Sequence, residues 1–454
     1  MKKIFTAIIL LTLVLIAFAG CKGGVKGGNP APPGVKAEPV ELFKYMYDSE
    51  NKGIRLIGYS GSETKVKIPD KIEGKPVVGI GAKCFEAGTV TEVYLPATVK
   101  YFRWGGKRSS NIENDTQTII PYGVTNISGY AYKDCSALTS ITIPDSVTTI
   151  GESAFEGCSA LKSVTIPNGV TAIGENAFHG CRSLANVTIP DSVTIIGERI
   201  FEGCLSLTRA TISNGVTTIR ESAFSDCSSL TSITIPDSIT IISDNAFYGC
   251  QSLTNVTIPD SVTIIDYCAF MNCSSLTNVM IPDGVTTIGS NAFVGCVSLT
   301  SIVIPDSVTC IESGVFQNCS LLISVSIPNS VTAIGAWMFG NCIALTNVTI
   351  PDGVTTIDSN AFLGCVSLTS IVIPDGVTCI YYCAFEGCGA LTSVVIPNSV
   401  IEIRGSAFRD CTSLTSVTIP GSVTAIGENA FSGCSLLPEE TKQKIRSINP
   451  GATD

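Results

Sequence analysis

A single period of 23 residues runs through most of this chain and constrains its fold more than any other feature. Fourteen cysteines repeat at this spacing, from Cys135 to Cys434. An aromatic residue stands three positions before each of them, first Tyr132 and then phenylalanines from Phe155 onward. A proline column keeps the same step from Pro121 to Pro420, and only Ser213 interrupts it. Three columns with one period indicate tandem structural units, which is the signature of a repeat protein.

One unit, residues 136–158, shows how each repeat is expected to fold. Ser140–Ile143 alternates polar and apolar residues, several of them β-branched, as a half-buried strand does. Pro144 lacks the N–H needed to continue a ladder and ends the strand, and Val147–Ile150 predicts a second short extended run. A single unit cannot bury its apolar residues, so stacked units are required, with a rise of roughly 4.8 Å per unit. The inward positions are predicted to be Leu138, Ile141, Ile143, Val147, Ile150, Ala154, Phe155 and Cys158.

The motif L-x-x-I-x-I-P at residues 138–144, followed by V-x-x-I-G and A-F-x-x-C, resembles the repeat of the BspA-like leucine-rich-repeat surface lipoproteins, in their 23-residue subclass. The resemblance covers Ile54 to Cys434. It implies a mainly β fold, a curved right-handed leucine-rich-repeat solenoid with strands on the concave face and short extended or turn segments on the convex face. It also implies adhesion to host matrix proteins or cells, or to other bacteria. The family motif consists of scaffold positions, so no ligand-binding residue is carried over.

The N-terminus predicts export and a lipid anchor. Lys2 and Lys3 precede an apolar, uncharged stretch, and the small pair Ala19-Gly20 follows it directly before Cys21. This arrangement resembles the lipobox of bacterial lipoproteins, which implies that Cys21 is acylated and becomes the mature N-terminus. The alternative is an ordinary cleaved signal followed by a chance cysteine.

These patterns predict five segments along the chain. They are a signal peptide at 1–20, the lipidated cysteine with a flexible Gly/Pro linker at 21–40, irregular N-terminal repeats and a cap at 41–120, regular 23-residue repeats at 121–434, and a capping helix with a tail at 435–454.

Two of these segments carry further expectations. In the N-terminal repeats, 71–77 is an insertion and the next strand is expected at Val93–Pro96. At the C-terminus, Pro438 is expected at the first position of the helix, with Glu439 and Glu440 in its first turn.

Charge and residue types argue against nucleic-acid binding, catalysis and a cofactor. The net charge of −10 lacks the basic footprint that phosphate neutralisation requires. Close pairs such as C-x-x-C are absent, so the cysteine column is expected to hold buried thiols, although stacked cysteines leave disulfides open on distance alone. Asp145 and its repeats interchange with Asn, which indicates turn residues rather than a calcium row. His179, the only histidine, stands at a variable surface position, and no catalytic motif accompanies it.

Two regions are candidates for partner binding. The outward columns of the predicted concave face are a nearly uncharged sheet of Ser, Asn, Thr and Val, which either hydrogen-bonds a partner or reflects strand propensity alone. Exceptions in these columns are Arg209, Met280, Val303, Val372 and Val395. The second candidate is the segment 101–118, which breaks the repeat. It is either a binding loop or a degenerate repeat filled by its aromatic residues, and it carries Phe102, Arg103 and Trp104.

Together these observations predict a bacterial lipoprotein at the outer surface of the cell envelope. Its partners would be proteins, such as host extracellular-matrix or cell-surface proteins, and its contact with the membrane would be the N-terminal lipid. The alternative is a structural or self-associating envelope protein that uses the same sheet for contacts between copies. The sequence predicts no cofactor.

Overall fold

The computed structural model describes residues 37, 39–49, 52–60, 65–80, 92–94, 101–102, 117–119, 125–127 and 129–453. The chain divides into two compact units, one ending at Val216 and the other beginning at Thr217. We call them the N-terminal unit and the C-terminal unit. Both consist mainly of short parallel strands, which confirms the predicted β class and the leucine-rich-repeat architecture.

The N-terminal unit begins with strands that do not follow the 23-residue register. Antiparallel β1 and β2 form a hairpin, β2 runs parallel to β5, and the predicted insertion is itself a hairpin of β4 and β5. Glu73 and Gly74 make its turn with φ values of 50° and 76°, as a tight hairpin requires. The strand expected at 93–96 forms slightly earlier. The strands are β1 (Phe43–Asp48), β2 (Gly53–Tyr59), β3 (Lys65–Lys67), β4 (Lys71–Ile72), β5 (Lys75–Ile80), β6 (Glu92–Tyr94) and β7 (Tyr101–Phe102), after a 3-10 turn at Val40–Leu42.

The repeats of the N-terminal unit contribute two strands per coil. Even-numbered strands pair with one another, and odd-numbered strands pair separately. Their bounds are β8 (Gln117–Ile119), β9 (Asn126–Ile127), β10 (Ser140–Thr142), β11 (Thr149–Ile150), β12 (Ser163–Thr165), β13 (Ala172–Ile173), β14 (Asn186–Thr188), β15 (Ile195–Ile196) and β16 (Arg209–Thr211).

The C-terminal unit continues the same alternation and ends in a helix. Its elements are β17 (Thr218–Ile219), β18 (Ser232–Thr234), β19 (Ile241–Ile242), β20 (Asn255–Thr257), β21 (Ile264–Ile265), β22 (Asn278–Met280), β23 (Thr287–Ile288), β24 (Ser301–Val303), β25 (Cys310–Ile311), β26 (Ser324–Ser326), β27 (Ala333–Ile334), β28 (Asn347–Thr349), β29 (Thr356–Ile357), β30 (Ser370–Val372), β31 (Cys379–Ile380), β32 (Ser393–Val395), β33 (Glu402–Ile403), β34 (Ser416–Thr418), β35 (Ala425–Ile426), helix α1 (Glu439–Ile448) and a 3-10 turn at Pro450–Ala452.

Strand register follows the sequence period. Ser140 pairs with Ser163 in the N-terminal unit, and Ser393 pairs with Ser416 in the C-terminal unit, both 23 residues apart. We call the even-numbered strands from β8 onward the main sheet of each unit, although in the C-terminal unit the pairing is interrupted between β28 and β30. In its strands the central residue is buried and its two neighbours face outward, as the alternation predicts.

The predicted inward columns form the core of both units. In the unit used above, all eight positions from Leu138 to Cys158 are buried. The aromatic rings stack from coil to coil, with centroids 5.1 Å apart between Phe155 and Phe178 and 5.4 Å apart between Phe270 and Phe293. Such continuous stacking lets each coil bury side chains that it could not bury alone.

Within each unit, the cysteine column bonds coils to the ones before them. The Cys181 thiol donates to the carbonyl oxygen of Phe155 at 3.2 Å, and that oxygen also accepts from the Cys158 amide at 3.1 Å. The thiol therefore satisfies the second lone pair of a buried carbonyl, which an alanine or valine could not do. Among the residues that the structure describes, no cysteine forms a disulfide, in agreement with the thiol prediction.

Helix α1 covers the last coil of the C-terminal unit. It begins at Glu439, so Pro438 precedes the helix instead of occupying its first position. Ile445 is fully buried, and the Lys444 ammonium donates to the carbonyl oxygen of Ile419 at 2.6 Å. In the 3-10 turn that follows the helix, the Ala452 carbonyl accepts a hydrogen bond from the Phe431 amide at 2.7 Å. In the other coils, the next coil supplies this acceptor.

Candidate interaction surface

The N-terminal unit presents exposed basic side chains on three consecutive coils. Arg209 is exposed and lies in register with Asn186 on the neighbouring strand. Lys162 and Arg182 are also exposed, in the turns of the two preceding coils, at repeat positions that differ from each other and from that of Arg209. The sequence prediction identified Arg209 and did not consider the other two.

The main sheet of the C-terminal unit presents apolar side chains in pairs. Met280 and Val303 are in register on adjacent strands and are 75% and 69% exposed. Val372 and Val395 form a second pair, 77% and 67% exposed. Side chains with such exposure contribute little to the core, so packing within the chain does not explain them.

Further exposed apolar residues lie in the turns that lead into these strands. The Leu321 amide donates to the Val297 carbonyl at 3.2 Å, so the turns stack in register like the strands. Ile323 directly precedes β26, and each of these side chains is well exposed. The sequence prediction missed the whole group because it considered only the two strand columns. The group consists of Val297, Leu321, Ile323, Ile343 and Val366.

Together with the two strand pairs, these residues form what we call the apolar strip. Each of the six coils from Cys273 to Cys411 contributes at least one member. The segments that carry the strip, beginning at 274–281 and repeating to 389–396, contain no charged residue. A continuous uncharged surface with large exposed apolar side chains is typical of a protein-contact surface.

Several predicted site residues lie outside the part of the chain that the structure describes. Cys21, Arg103 and Trp104 belong to this group. For Phe102 the structure describes the backbone alone, as the last residue of β7, which runs parallel to β5. Whether segment 101–118 binds a partner or packs as a degenerate repeat therefore stays a prediction.

Titratable side chains meet around Glu156 in the N-terminal unit. Although partial burial acts in the opposite direction, hydrogen bonds from Lys133 and Ser153 hold the pKa of Glu156 below its ordinary value. His179 lies 4.0 Å from the same carboxylate, in a partly exposed position. No three His, Cys, Asp or Glu side chains within the described residues are grouped so that they could hold a metal ion. Burial raises the pKa of the Cys181, Cys342 and Cys388 thiols to about 12, so they are protonated at neutral pH.

Parallel strands in a 23-residue register, with stacked leucine, phenylalanine and cysteine columns inside, define a leucine-rich-repeat solenoid protein. A model of the BspA type leucine rich repeat region matches residues 59–159, 125–254, 240–366 and 332–452. This chain belongs to that family, as its repeat motif predicted.

This chain is similar to solved structures of bacterial proteins. A leucine-rich repeat protein from Bacteroides ovatus is 30% identical, with a TM-score of 0.65 over 92% of this chain and 98% of its own. A leucine rich cell surface protein from Faecalibacterium prausnitzii is 29% identical over 86% of this chain and 96% of its own, with a TM-score of 0.46. The pneumococcal vaccine antigen PcpA is 19% identical over 85% of this chain and 96% of its own, with a TM-score of 0.45. No curated protein matches the sequence.

In the described part of the chain, no helix has the length and apolar character needed to cross a membrane.

Proposed function

We propose that this chain is an exported bacterial surface lipoprotein that binds other proteins through the apolar strip of its C-terminal unit, and that it acts without catalysis. The observation that carries the proposal is the pairing of Met280 with Val303 and of Val372 with Val395, all strongly exposed in an uncharged surface. Burying such a surface against a partner contributes about 25 cal/mol of binding free energy per Å² of apolar area. No charged group has to be dehydrated in the process.

The proposed location follows from the N-terminal sequence and the family. Cys21 would carry the lipid, the Gly/Pro-rich residues after it would act as a tether, and the repeats would face outward from the cell envelope. Proteins of host matrix or host cells are the proposed partners, as the resemblance to BspA-like surface proteins implies.

Solid-phase binding of the soluble chain without its signal and Cys21 tests the proposal. The probes are immobilised collagen, fibronectin and laminin, together with intact host epithelial cells. The double variants Met280→Lys/Val303→Lys and Val372→Lys/Val395→Lys should each reduce binding about tenfold or more, because each places two ammonium groups in the contact.

A matched control comes from the same columns of the N-terminal unit. Thr142 and Thr165 are exposed and in register, so Thr142→Lys/Thr165→Lys adds the same charges away from the strip. This variant should bind like the unchanged chain. Equal loss in the control, or full binding by both strip variants, would contradict the proposed surface.

Self-association through the strip is the rival function, since an apolar surface also suits a second copy of the chain. Light scattering of the soluble chain separates the two. A concentration-dependent dimer that both strip variants abolish, without capture by any immobilised partner, would establish the rival.

A further inference from the structure

Two aromatic residues of the C-terminal unit, Trp337 and Tyr382, stand in columns that most coils fill with small or polar residues, and a tyrosine recurs once in each column, at Tyr130 and Tyr267. Trp337 occupies a loop position with φ of 61°, a left-handed backbone that bulky side chains rarely adopt. Asn176, Asn245 and Asn360 fill the same position in other coils, with similar φ values. Asparagine is the commonest residue of this column, and Trp337 is the bulkiest side chain in it.

A glycine lies beneath the Trp337 ring. A Cβ on Gly340 would lie 2.8 Å from the ring carbon Cε3 of Trp337, so only glycine leaves room for the ring there. The equivalent position in other coils holds large residues such as Glu156, Tyr248 and Leu363. The Trp337 ring thus packs against the backbone at Gly340, which is buried, and Trp337 itself is half-buried.

The second aromatic residue also lies beside a glycine. Tyr382 is 53% exposed, and its ring atoms Cδ1 and Cε1 lie 3.5 Å from where a Cβ on Gly405 would be, which is ordinary van der Waals contact. Glu175 and Glu428 occupy the Gly405 position in other coils. Gly405 is therefore compatible with the Tyr382 ring without being required by it, in contrast to Gly340 beside Trp337.

Short polar groups lie in the coil between the two aromatic residues. The coil between them contributes Asp358, Ser359 and Asn360, all half-buried, and the Asp358 carboxylate accepts from the Ser359 amide at 2.6 Å. The Arg404 guanidinium lies 5.7 Å from the centre of the Tyr382 ring and pairs with Glu402 at 2.9 Å. Donors and acceptors are therefore available beside the rings, and the arginine is already neutralised.

We propose that Trp337 and Tyr382 form a binding site for a neutral carbohydrate chain. The C–H faces of hexose rings stack on flat aromatic rings, and their hydroxyls exchange hydrogen bonds with carboxylate, amide and guanidinium groups. The two residues are two coils apart, about 10 Å by the strand spacing, which is the span of two linked hexoses. This site and its ligand class are separate from the apolar strip, so the two proposals stand or fall independently.

The test uses the full mature chain in gels cast with soluble neutral polysaccharides, namely a β-glucan, a xylan, a galactomannan and amylose. At least one of these polysaccharides should retard the protein. Trp337→Asn and Tyr382→Ser should each weaken the retardation about tenfold. Both substitutions install residues that the repeat uses at these positions, so the variants should fold.

Tyr267→Ser is the matched control. Tyr267 occupies the same column as Tyr382 and is 46% exposed, but the next coil places Ser290 rather than glycine beside it. This variant should migrate like the unchanged protein.

A fluorescence titration provides a second measurement. In the Trp104→Phe variant, Trp337 is the remaining tryptophan, and adding the hexasaccharide of the retarding polymer should change its fluorescence. No retardation in any of the four gels, or retardation unaffected by Trp337→Asn, would overturn the proposal, and binding of the sulfated polymer heparin alone would overturn the neutral ligand class.

Discussion

At the scale of single residues, the cysteine column combines three properties that no other small residue offers together. Cys273 is fully buried, its thiol donates to the Phe247 carbonyl at 3.2 Å, and burial raises its pKa well above the ordinary value. A neutral thiol fills space like a small hydrophobic side chain and also satisfies a buried acceptor. The column therefore stabilises the stack without inviting disulfide or metal chemistry.

Substituting Cys273 measures this contribution. Cys273→Asp should lower the free energy of unfolding by more than about 3 kcal/mol, because it buries an unpaired charge. Cys273→Ala should cost about 1–2 kcal/mol, since it loses one hydrogen bond and little volume. Urea denaturation followed by circular dichroism checks both, with the exposed Asn278→Asp as control. A Cys273→Asp variant as stable as the control would contradict the buried thiol.

Alkaline pH should destabilise the fold through the same column. The pKa of Cys388 is raised by burial from 9.0 to about 12, so its neutral thiol contributes stability fully below pH 9 and loses it as the pH rises toward 12. At pH 10 each such thiol should cost about 1.4 kcal/mol.

A variant isolates this effect from other titrations. Between pH 7 and pH 10, Cys388→Ala should lose about 1.4 kcal/mol less unfolding free energy than the unchanged chain, by urea midpoints at both pH values. An identical loss in the two proteins would show that Cys388 does not carry the effect.

The sequence predicted burial residue by residue but not the bond that each thiol makes. Column spacing identifies Leu138, Phe155 and Cys158 as inward, and all three are buried. The thiol-to-carbonyl bond joins residues 26 apart, as between Cys181 and Phe155, because it runs to the aromatic residue of the preceding coil. That partner depends on how the loop carbonyls are turned, which spacing alone does not contain.

At the scale of elements, strand register was predictable and strand length less so. The expected strand Ser140–Ile143 forms as Ser140–Thr142, but of the expected run Val147–Ile150 only Thr149–Ile150 is a strand. The Val147 amide instead donates to the Pro144 carbonyl at 3.0 Å and closes a turn. Turn formation after a proline competes with strand extension here, and a four-residue pattern cannot distinguish them.

Helix α1 offers a test of capping. Ile445→Asp should loosen the last coil, because the helix would lose its only fully buried side chain among those described. Hydrogen exchange of the Asn429 and Phe431 amides, which bond to Gly451 and Ala452, should then accelerate. The exposed Glu440→Ala variant is the control. Unchanged protection in Ile445→Asp would mean that the coil does not need the helix.

At the scale of the whole molecule, the predicted anchor decides where the repeats act. Cys21→Ser should move the protein from the membrane fraction to the soluble fraction and abolish fatty-acid labelling, because a serine cannot accept the thioether-linked lipid. Cys310→Ser, at an exposed cysteine of the repeats, should leave both unchanged. Normal labelling and membrane association of Cys21→Ser would refute the lipoprotein assignment.

Surface chemistry differs between the two units in a way that the sequence partly revealed. Arg209 and the apolar residues Met280, Val303, Val372 and Val395 differ from the other residues of the strand columns, so the sequence identified them. Lys162, Arg182 and Ile323 lie in the turns that precede the strands, which the sequence prediction did not consider. The contact of the exposed Tyr382 ring with Gly405 was not predictable, because the position of the ring depends on the side-chain rotamer.

The fixed 23-residue register also bears on inheritance. Since repeat strands bond to the residue 23 positions away, an in-frame gain or loss of one entire coil leaves the remaining columns continuous. Trp337 and Gly340 lie in one coil and would be copied together, whereas Tyr382 and Gly405 lie in neighbouring coils and a new coil between them would separate the pair. Alleles that differ in repeat number should therefore have their junctions outside 382–405.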